Sequence, residues 1–370
     1  MLQVRTITGE ECVSTRDLWE EVFSEDTHRF LDYYYSRKAE RNIGYVIGEK
    51  PYAAMMFRTP YNLQVNGAQR EISYLVAVAT RKEFRHKGYM TALLMKSFRE
   101  MYTQKNPFTF LMPANPAIYE PFDFSYIYER EIFKIEEEWV QILEVLWEEK
   151  EELVAAGSDN EGKIQSETLN LRVLERWEKE SGCRLYSLRK LFAAQDPSRI
   201  LNKAAQFANL WLAERYEIYA IRDEEYYHRQ LLELLAQKGD IFMAEKNGQI
   251  EGLFFYAREE EDVSIQELME KKEGLFSFLI REEKRKPVIM ARIIHLEEML
   301  RLARSEKRKT VLMEVEDPLL FWNNGTYRVE MTPRGSTVER LSEYREAKEH
   351  WHIKDLTPVL LKNVFLNEIV

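Results

Sequence analysis

Hydrophobic and polar positions alternate with period two over residues 3–8, which predicts a short strand. The period then lengthens to helical spacing over Thr15–Phe23 and through the aromatic segment His28–Lys38. Three strand-like runs follow, Ile43–Ile47, Tyr52–Val65 and Glu71–Thr80, and Asn66-Gly67 between the last two is a strong hairpin signal. After Gly88 the pattern changes again. Met90, Leu93, Leu94, Phe98 and Met101 share one helical face, with Lys96, Arg99 and Gln104 opposite. Phe108–Met112 and Ser125–Phe133 read as further strands, with a short helix between them around Tyr119. The first 130 residues therefore predict a mixed α/β domain.

The middle of the chain is less regular. Val140–Ala156 reads as an acidic helix running into a loop at Ala156-Gly157-Ser158-Asp159. Helical patterns return in Arg172–Ser181, Pro197–Ala213 and Glu224–Gln237, followed by a hairpin, Ile241–Glu245 and Gln249–Ala257, turning at Asn247-Gly248. The charged stretch Arg281–Lys286 before Pro287 reads as a linker or exposed turn. Beyond it, Val288–Ile293, a helix at Leu296–Arg304, strands at Thr310–Val315 and Tyr327–Thr332, and C-terminal helical segments make another αβ unit. Three domains are expected, at 1–150, 151–285 and 286–370, which suits 370 residues better than one core would.

Composition narrows the function. Hydrophobic residues at 45% and charged residues at 31% describe a folded rather than a disordered chain. No apolar run approaches the ~20 residues of a membrane-spanning helix. Met1-Leu2-Gln3-Val4-Arg5 does not begin like a secretory signal. Cys12 and Cys183 offer neither a disulfide framework nor metal-ligand spacing, so a cytoplasmic, metal-free protein is expected, away from membranes. The net charge is −10, yet residues 1–130 hold 17 Lys/Arg against 16 Asp/Glu. An acidic remainder disfavours nucleic acid and favours cationic small molecules or protein amines. The near-neutral first third carries one basic knot, Arg81, Lys82, Arg85 and Lys87.

That knot lies between a strand and a helix, in Arg85-His86-Lys87-Gly88-Tyr89-Met90. Free N–H groups at a helix start, with a glycine that lets the chain approach closely, can hold a pyrophosphate. A basic surface loop ending in glycine is the plainer alternative. The segment resembles the acetyl-CoA loop R/Q-x-x-G-x-G/A of the GCN5-related N-acetyltransferases (GNAT), with Met90 departing from the usual Gly or Ala. That departure is similar to the enhanced-intracellular-survival (Eis) acetyltransferases. Ile118-Tyr119-Glu120-Pro121-Phe122-Asp123-Phe124 resembles the I-Y-x-x-F-G-Y segment of the same proteins, with Asp123 in place of glycine. The final Phe365-Leu366-Asn367-Glu368-Ile369-Val370 is similar to their C-termini.

The resemblance implies tandem GNAT folds, the second without a coenzyme loop, followed by a sterol-carrier-protein-like αβ domain, and assembly as a homo-oligomer, a hexamer. It implies that Val78, Ala79 and Thr80 pair their backbone with the pantetheine arm of acetyl-CoA. His86, Lys87, Gly88, Tyr89, Met90 and Thr91 would hold the pyrophosphate, Arg85 adding charge, and Ala114 and Asn115 would lie near the thioester. Tyr119 would be the general acid and the Val370 carboxylate the general base. The implied reaction is acetyl transfer to a primary amine of an aminoglycoside-, polyamine- or lysine-like acceptor.

Elementary acid–base chemistry qualifies two of these roles. Neutralising an amine of pKa ~10.4 at pH 7 costs ~4.6 kcal/mol, and a chain-end carboxylate near ~3.5 is a poor base for it. Val370 is therefore expected mainly to orient and attract the ammonium. A phenol protonating a thiolate of pKa ~8.5 is uphill by ~2 kcal/mol, so hydrogen bonding to the developing thiolate is the easier role for Tyr119. Glu25, Asp26 and Glu368 are candidates for binding a cationic acceptor, with a solvated surface carboxylate as the plain alternative for each. Two other functions remain open. One is a non-catalytic carrier of an apolar ligand; the other is an assembly protein on a degenerate GNAT fold, with Met90 and Asp123 as its evidence.

Overall fold

Alternation along the first third becomes a meander in the computed structural model, which describes residues 2–147, 172–194, 196–259, 262–341 and 349–368. Strands β1 (Val4–Thr8), β2 (Ile43–Ile47), β3 (Ala54–Val65) and β4 (Ala68–Thr80) pair antiparallel in that order. Helices cover both faces. On one side α1 (Arg16–Val22) and α2 (His28–Tyr33), the latter continued by a π-type turn at Tyr34–Lys38, bury Leu18, Trp19, Phe30 and Tyr34 against Met55, Phe57 and Ala79. On the other, α3 (Tyr89–Thr103) buries Leu93, Leu94, Phe98 and Met101 against Tyr45, Met56 and Leu75. The apolar face read from the sequence is the face that packs.

The chain forms two compact units. The first contains Met1–Glu129, Tyr216–Ile221 and Pro287–Val370; the second contains Arg130–Arg215 and Arg222–Lys286. In the first unit, β5 (Phe108–Leu111) runs parallel to β4 and pairs on its far side with the end of β12 (Ile280–Ile293), Met290 facing Leu111 and Ile293 facing Phe108. The short strand β8 (Ile218–Ala220) joins Leu63–Val65 of β3 and, on its other edge, the last strand β17 (Val364–Phe365). A separate four-stranded sheet holds β13 (Lys309–Glu316), β14 (Gly325–Thr332), β15 (Gly335–Leu341) and β16 (Glu349–His352), in the order β15-β14-β13-β16. Helices α9 (Leu296–Leu302) and α10 (Ile353–Leu360) accompany it.

In the second unit the end of β6 (Ser125–Ile135) pairs with β11 (Asp262–Glu270), which continues through β10 (Gln249–Glu259) and β9 (Asp240–Lys246) to β7 (Arg184–Ser187). Its helices are α4 (Glu137–Trp147), α5 over residues 172–181, α6 (Leu188–Ala194), α7 (Pro197–Ala213) and α8 (Glu224–Ala236). Trp139, Trp177, Phe254 and Phe276 fill its core. Fold class agrees with expectation: α/β with mixed sheets.

Three local expectations change. Arg281–Lys286 is not a linker but the exposed half of β12, where extended charged residues find partners: Arg281 with Glu137, Arg285 with Glu131. The helix expected around Tyr119 is two short 3-10 turns, Pro116–Ile118 and Glu120–Phe122, each with a proline in its first turn and too short to propagate. The acidic helix begins earlier, at Glu137; the part beyond Trp147, with the loop expected at Ala156–Asp159, lies outside the described residues.

Candidate functional site

The site begins with a defect in a strand. Met55 faces Ala79 and Phe57 faces Val76, so Ala77 and Val78 together oppose Met56 alone. Ala77 takes up the extra residue with φ at +53°, in the left-handed region that a side chain seldom enters. The bulge re-aims the strand end. Val76, Ala77 and Ala79 pack on the α1–α2 side, whereas Leu75 and Val78 pack on the α3 side. Among the described residues β4 and β5 pair only at Ser73–Thr109 and Tyr74–Phe110. Past that point no pairing joins them; Ala79 and Thr80 hold Met55 and Ala54 of β3 on their other edge, with Val78 in the bulge beside them.

The loop after Thr80 makes one 3-10 turn, Lys82–Phe84, and enters α3 through two left-handed residues, His86 (φ 60°) and Gly88 (φ 79°). A Cβ on Gly88 would meet nothing within 4 Å, so the glycine serves backbone conformation and leaves the approach to the helix open. Gly88 supplies no side-chain cap, and the donors of the first turn are left to other partners. Arg85, His86, Lys87 and Thr91 are exposed; Tyr89 and Met90 are partly buried against the α3 core. Met90 thus packs as a helix residue and does not obstruct the loop. Donors, a positive helix end and exposed cations coincide, an arrangement suited to a pyrophosphate.

The four cations of the knot have different fates. Arg81 hydrogen-bonds the Tyr52 carbonyl through Nε (2.8 Å) and pairs with both Asp17 and Glu21 of α1. It anchors the loop and has little left for a ligand. Arg85 donates from Nε to the Thr80 carbonyl at 3.1 Å. Lys87 lies over the Phe84 ring, which in turn meets Tyr89. Lys82 is exposed.

Tyr119 packs into the core on the α3 side. Its ring is buried with Phe124 (centroids 5.8 Å apart) in the cluster that contains Leu93, Leu94 and, at its border, Val78, Tyr89 and Met90. Burial pushes its phenol up to about 12, so it is a proton donor throughout the neutral range. Ala114 and Asn115 are exposed just before it, and Asn115 caps the first 3-10 turn by accepting from the Ala117 N–H at 3.1 Å. Asp123 sits at φ 59°, a conformation that glycine takes freely and aspartate tolerates. Its carboxylate faces buried Arg292 at 3.6 Å, and Arg292 is held at 2.7 Å by Asp317. The substitution for glycine therefore keeps the turn and adds a partner to a buried guanidinium.

The acceptor candidates are less unified. Glu25 is exposed; Asp26, half-buried, accepts from Trp19 Nε1 at 2.7 Å, and burial raises its carboxyl above the ordinary range. Glu368 is not a solvated surface carboxylate but fully buried, at the end of a buried run from Val364. Phe365 of that run meets Tyr128 and Tyr216 at 5.6 and 5.1 Å. Val370 lies outside the described residues. Sequence reasoning missed the Ala77 bulge, which leaves no compositional trace, and the anchoring of Arg81, whose partners are remote in sequence.

Among the described residues no group of three His, Cys, Asp or Glu could hold a metal, and no helix is long and apolar enough to cross a membrane.

Residues 3–127 match the acetyltransferase (GNAT) domain, and residues 296–369 match the sterol carrier protein domain. No curated protein matches the chain. Among solved structures, a probable N-acyltransferase from Enterococcus faecalis V583 is similar over 98% of this chain and 90% of its own, with TM-score 0.71 and 16% identity. A GCN5-related N-acetyltransferase from Anabaena variabilis covers 96% and 89%, with TM-score 0.65 and 15% identity. Eis1 from Mycobacterium abscessus covers 97% and 89%, with TM-score 0.62 and 12% identity. At these identities the likeness is one of fold, and it runs from end to end. The chain carries a GNAT acetyltransferase domain followed by a sterol carrier protein domain, in an Eis-like architecture.

Proposed function

We propose that the protein transfers an acetyl group from acetyl-CoA to the primary amine of a cationic acceptor of aminoglycoside, polyamine or lysine type. The observation that carries this is the continuity of three features: a bulged strand end parting from its neighbour, a glycine-entered loop, and an uncapped helix start. Bound there, acetyl-CoA supplies an activated thioester. Backbone groups of Val78–Thr80 suit the amide-bearing pantetheine arm, and the N–H groups of His86–Thr91 with Arg85 and Lys87 suit the pyrophosphate. Ala114 and Asn115 border the thioester end.

The acid–base demands are met unequally. With its phenol at about 12, Tyr119 would have to climb ~5 kcal/mol to surrender its proton fully to a thiolate of pKa ~8.5. Its role is donation of a hydrogen bond to sulfur as charge develops there. The Val370 carboxylate attracts and orients the acceptor ammonium, in company with Glu25, Asp26 and Glu368. A degenerate, non-catalytic GNAT fold is disfavoured, because both departures from the motif are harmless: Met90 packs against the core on the buried side of α3 and Asp123 fits its left-handed turn. A cytoplasmic homo-oligomer, a hexamer, belongs to the same proposal.

Calorimetric titration with acetyl-CoA, followed by CoA release with kanamycin, spermidine and a lysine peptide, tests it. Binding near one per chain with turnover of at least one amine is the expected outcome. No binding at millimolar acetyl-CoA would overturn it.

A further inference from the structure

Regular structure does not hold Tyr119. It stands between two 3-10 turns of three residues each, Pro116–Ile118 and Glu120–Phe122, and the backbone hydrogen bonds around it are local. Its N–H donates to the Pro116 carbonyl at 2.9 Å, and its carbonyl accepts from the Phe122 N–H at 3.0 Å. Asp123 finishes the turn that Tyr119 begins. The Asp123 N–H donates to the Glu120 carbonyl at 3.0 Å, and the Phe124 N–H reaches back to the Tyr119 carbonyl at 3.5 Å. Turns this short are not stable by themselves, so contacts from outside the segment decide where the tyrosine stays.

The strongest of those contacts is charge. Arg292 is fully buried on β12, opposite Thr109 of β5. Asp317 accepts from both its Nη atoms, at 2.7 and 3.3 Å, and is itself fixed by the Leu320 N–H at 2.7 Å and by Asn323 Nδ2 at 2.9 Å. That pair is already neutral and rigid, so the guanidinium has no need of a second anion. Asp123 supplies one all the same, 3.6 Å from Nη2, with 12% of its side chain exposed. The same guanidinium lies over the Phe98 ring of α3, and Phe98 meets Phe124, which meets Tyr119. One fixed cation thus touches the end of the tyrosine's turn and the helix face on which its ring packs. Beside it, Ser125 Oγ donates to the Lys354 carbonyl at 2.8 Å. Burial raises the Asp123 carboxyl above the ordinary range; Arg292 pulls it back, with His352 and Lys354, while Asp317 opposes them.

Since Arg292 and Asp317 are complete without it, the element that gains from the Asp123 ion pair is the turn. We infer that Asp123 is a positioning residue: its pairing with Arg292 pins the end of the 120–122 turn and so fixes Tyr119 for its part in acetyl transfer. A glycine in its place would form the left-handed turn as readily and supply no such restraint. The hold on the Tyr119 segment does not depend on what the protein catalyses; its consequence for transfer rests on the function proposed above.

Asp123→Gly and Asp123→Asn test this in the full chain, because both replacements accept the left-handed turn and neither carries charge. Hydrogen exchange at the Tyr119 and Phe122 amides should quicken at least threefold in both, while the Leu94 amide within α3 keeps its parent rate. With whichever of kanamycin, spermidine and the lysine peptide turns over, kcat should fall at least fivefold, since a misplacement of about 1 Å can cost ~10²-fold in rate. Acetyl-CoA affinity by calorimetry should stay within twofold. In a Tyr119→Phe background the same substitutions should change kcat less than 1.5-fold, because no hydroxyl remains to be positioned. Unchanged exchange, exchange that rises equally at Leu94, an unchanged kcat, or an equal loss of kcat with and without the Tyr119 hydroxyl would each overturn the inference. If none of the three amines is acetylated, the proposed function fails, and exchange still decides whether Asp123 holds the turn.

Discussion

The Arg85 guanidinium donates through Nε to the carbonyl oxygen of Thr80, closing the loop before α3 back on the strand that delivers it. The side chain is exposed, so the other guanidinium nitrogens are accessible to a phosphate. Arg85→Ala should weaken acetyl-CoA about tenfold, the scale of one charge-assisted hydrogen bond, and flatten the salt dependence of binding. Its melting temperature should stay within a degree or two of the parent. Calorimetry at two salt concentrations with a thermal melt checks all three.

Arg81, four residues earlier, should behave in the opposite way. Its side chain is only 13% exposed and pairs with Asp17 and Glu21 while holding the Tyr52 carbonyl. Arg81→Ala should lower stability by about 1–3 kcal/mol and raise the acetyl-CoA KM with less effect on kcat. Arg81→Lys should recover little of either, because a single ammonium cannot replace a planar fork with three acceptors. Denaturant titration and steady-state kinetics separate these outcomes.

For Tyr119 the discriminating variable is pH. A phenol held at about 12 stays protonated across the working range, so kcat should show no fall below pH 10 that Tyr119→Phe abolishes. Tyr119→Phe itself should lower kcat by 10²-fold or more at every pH, as loss of a donor aimed at developing charge does. A variant with near-parent kcat would remove Tyr119 from the reaction.

Asp26 offers a signed pH effect. Burial raises its carboxyl, so the folded state holds the proton more tightly than the unfolded chain. The stability this contributes is present below the unfolded value and declines as pH rises through the raised folded one. Asp26→Asn keeps an oxygen for Trp19 Nε1 and removes the titration, so the decline just above pH ~4 should shrink and stability at pH 7 should hold or rise. If Asp26 also attracts the acceptor, the same variant raises the acceptor KM at pH 7. Urea titrations across pH 3–8 with kinetics at pH 7 read both.

Legibility followed the range of the interactions. Strand β4, the loop and α3 are contiguous, and their pattern of alternation, glycine and helical face predicts what forms. Gly88 and the exposed Lys87 sit where that pattern puts them. Arg81 could not be told from Arg85 by sequence, because what neutralises it comes from α1, far back along the chain. The charged Arg281–Lys286 looked like a linker because its strand is exposed and its apolar signal absent, although ion pairs serve in place of burial. Glu368 looked solvated because nothing local to it reveals that Val364–Glu368 runs through the interior. Asp123 looked like decay of a motif until its φ and its pairing with Arg292 gave it a reason.

Strand β8, itself edged by β17, covers one flank of β3, and β12 covers the far side of β5. The acetyltransferase portion thus borrows its borders from residues that emerge much later in synthesis. Until they arrive, a nascent N-terminal third presents bare hydrogen-bonding edges, the kind that recruit stray strands. Excising residues 1–130 for expression would make that transient state permanent. Engineering this protein by swapping its first domain would need the distant edge strands carried along as part of the graft.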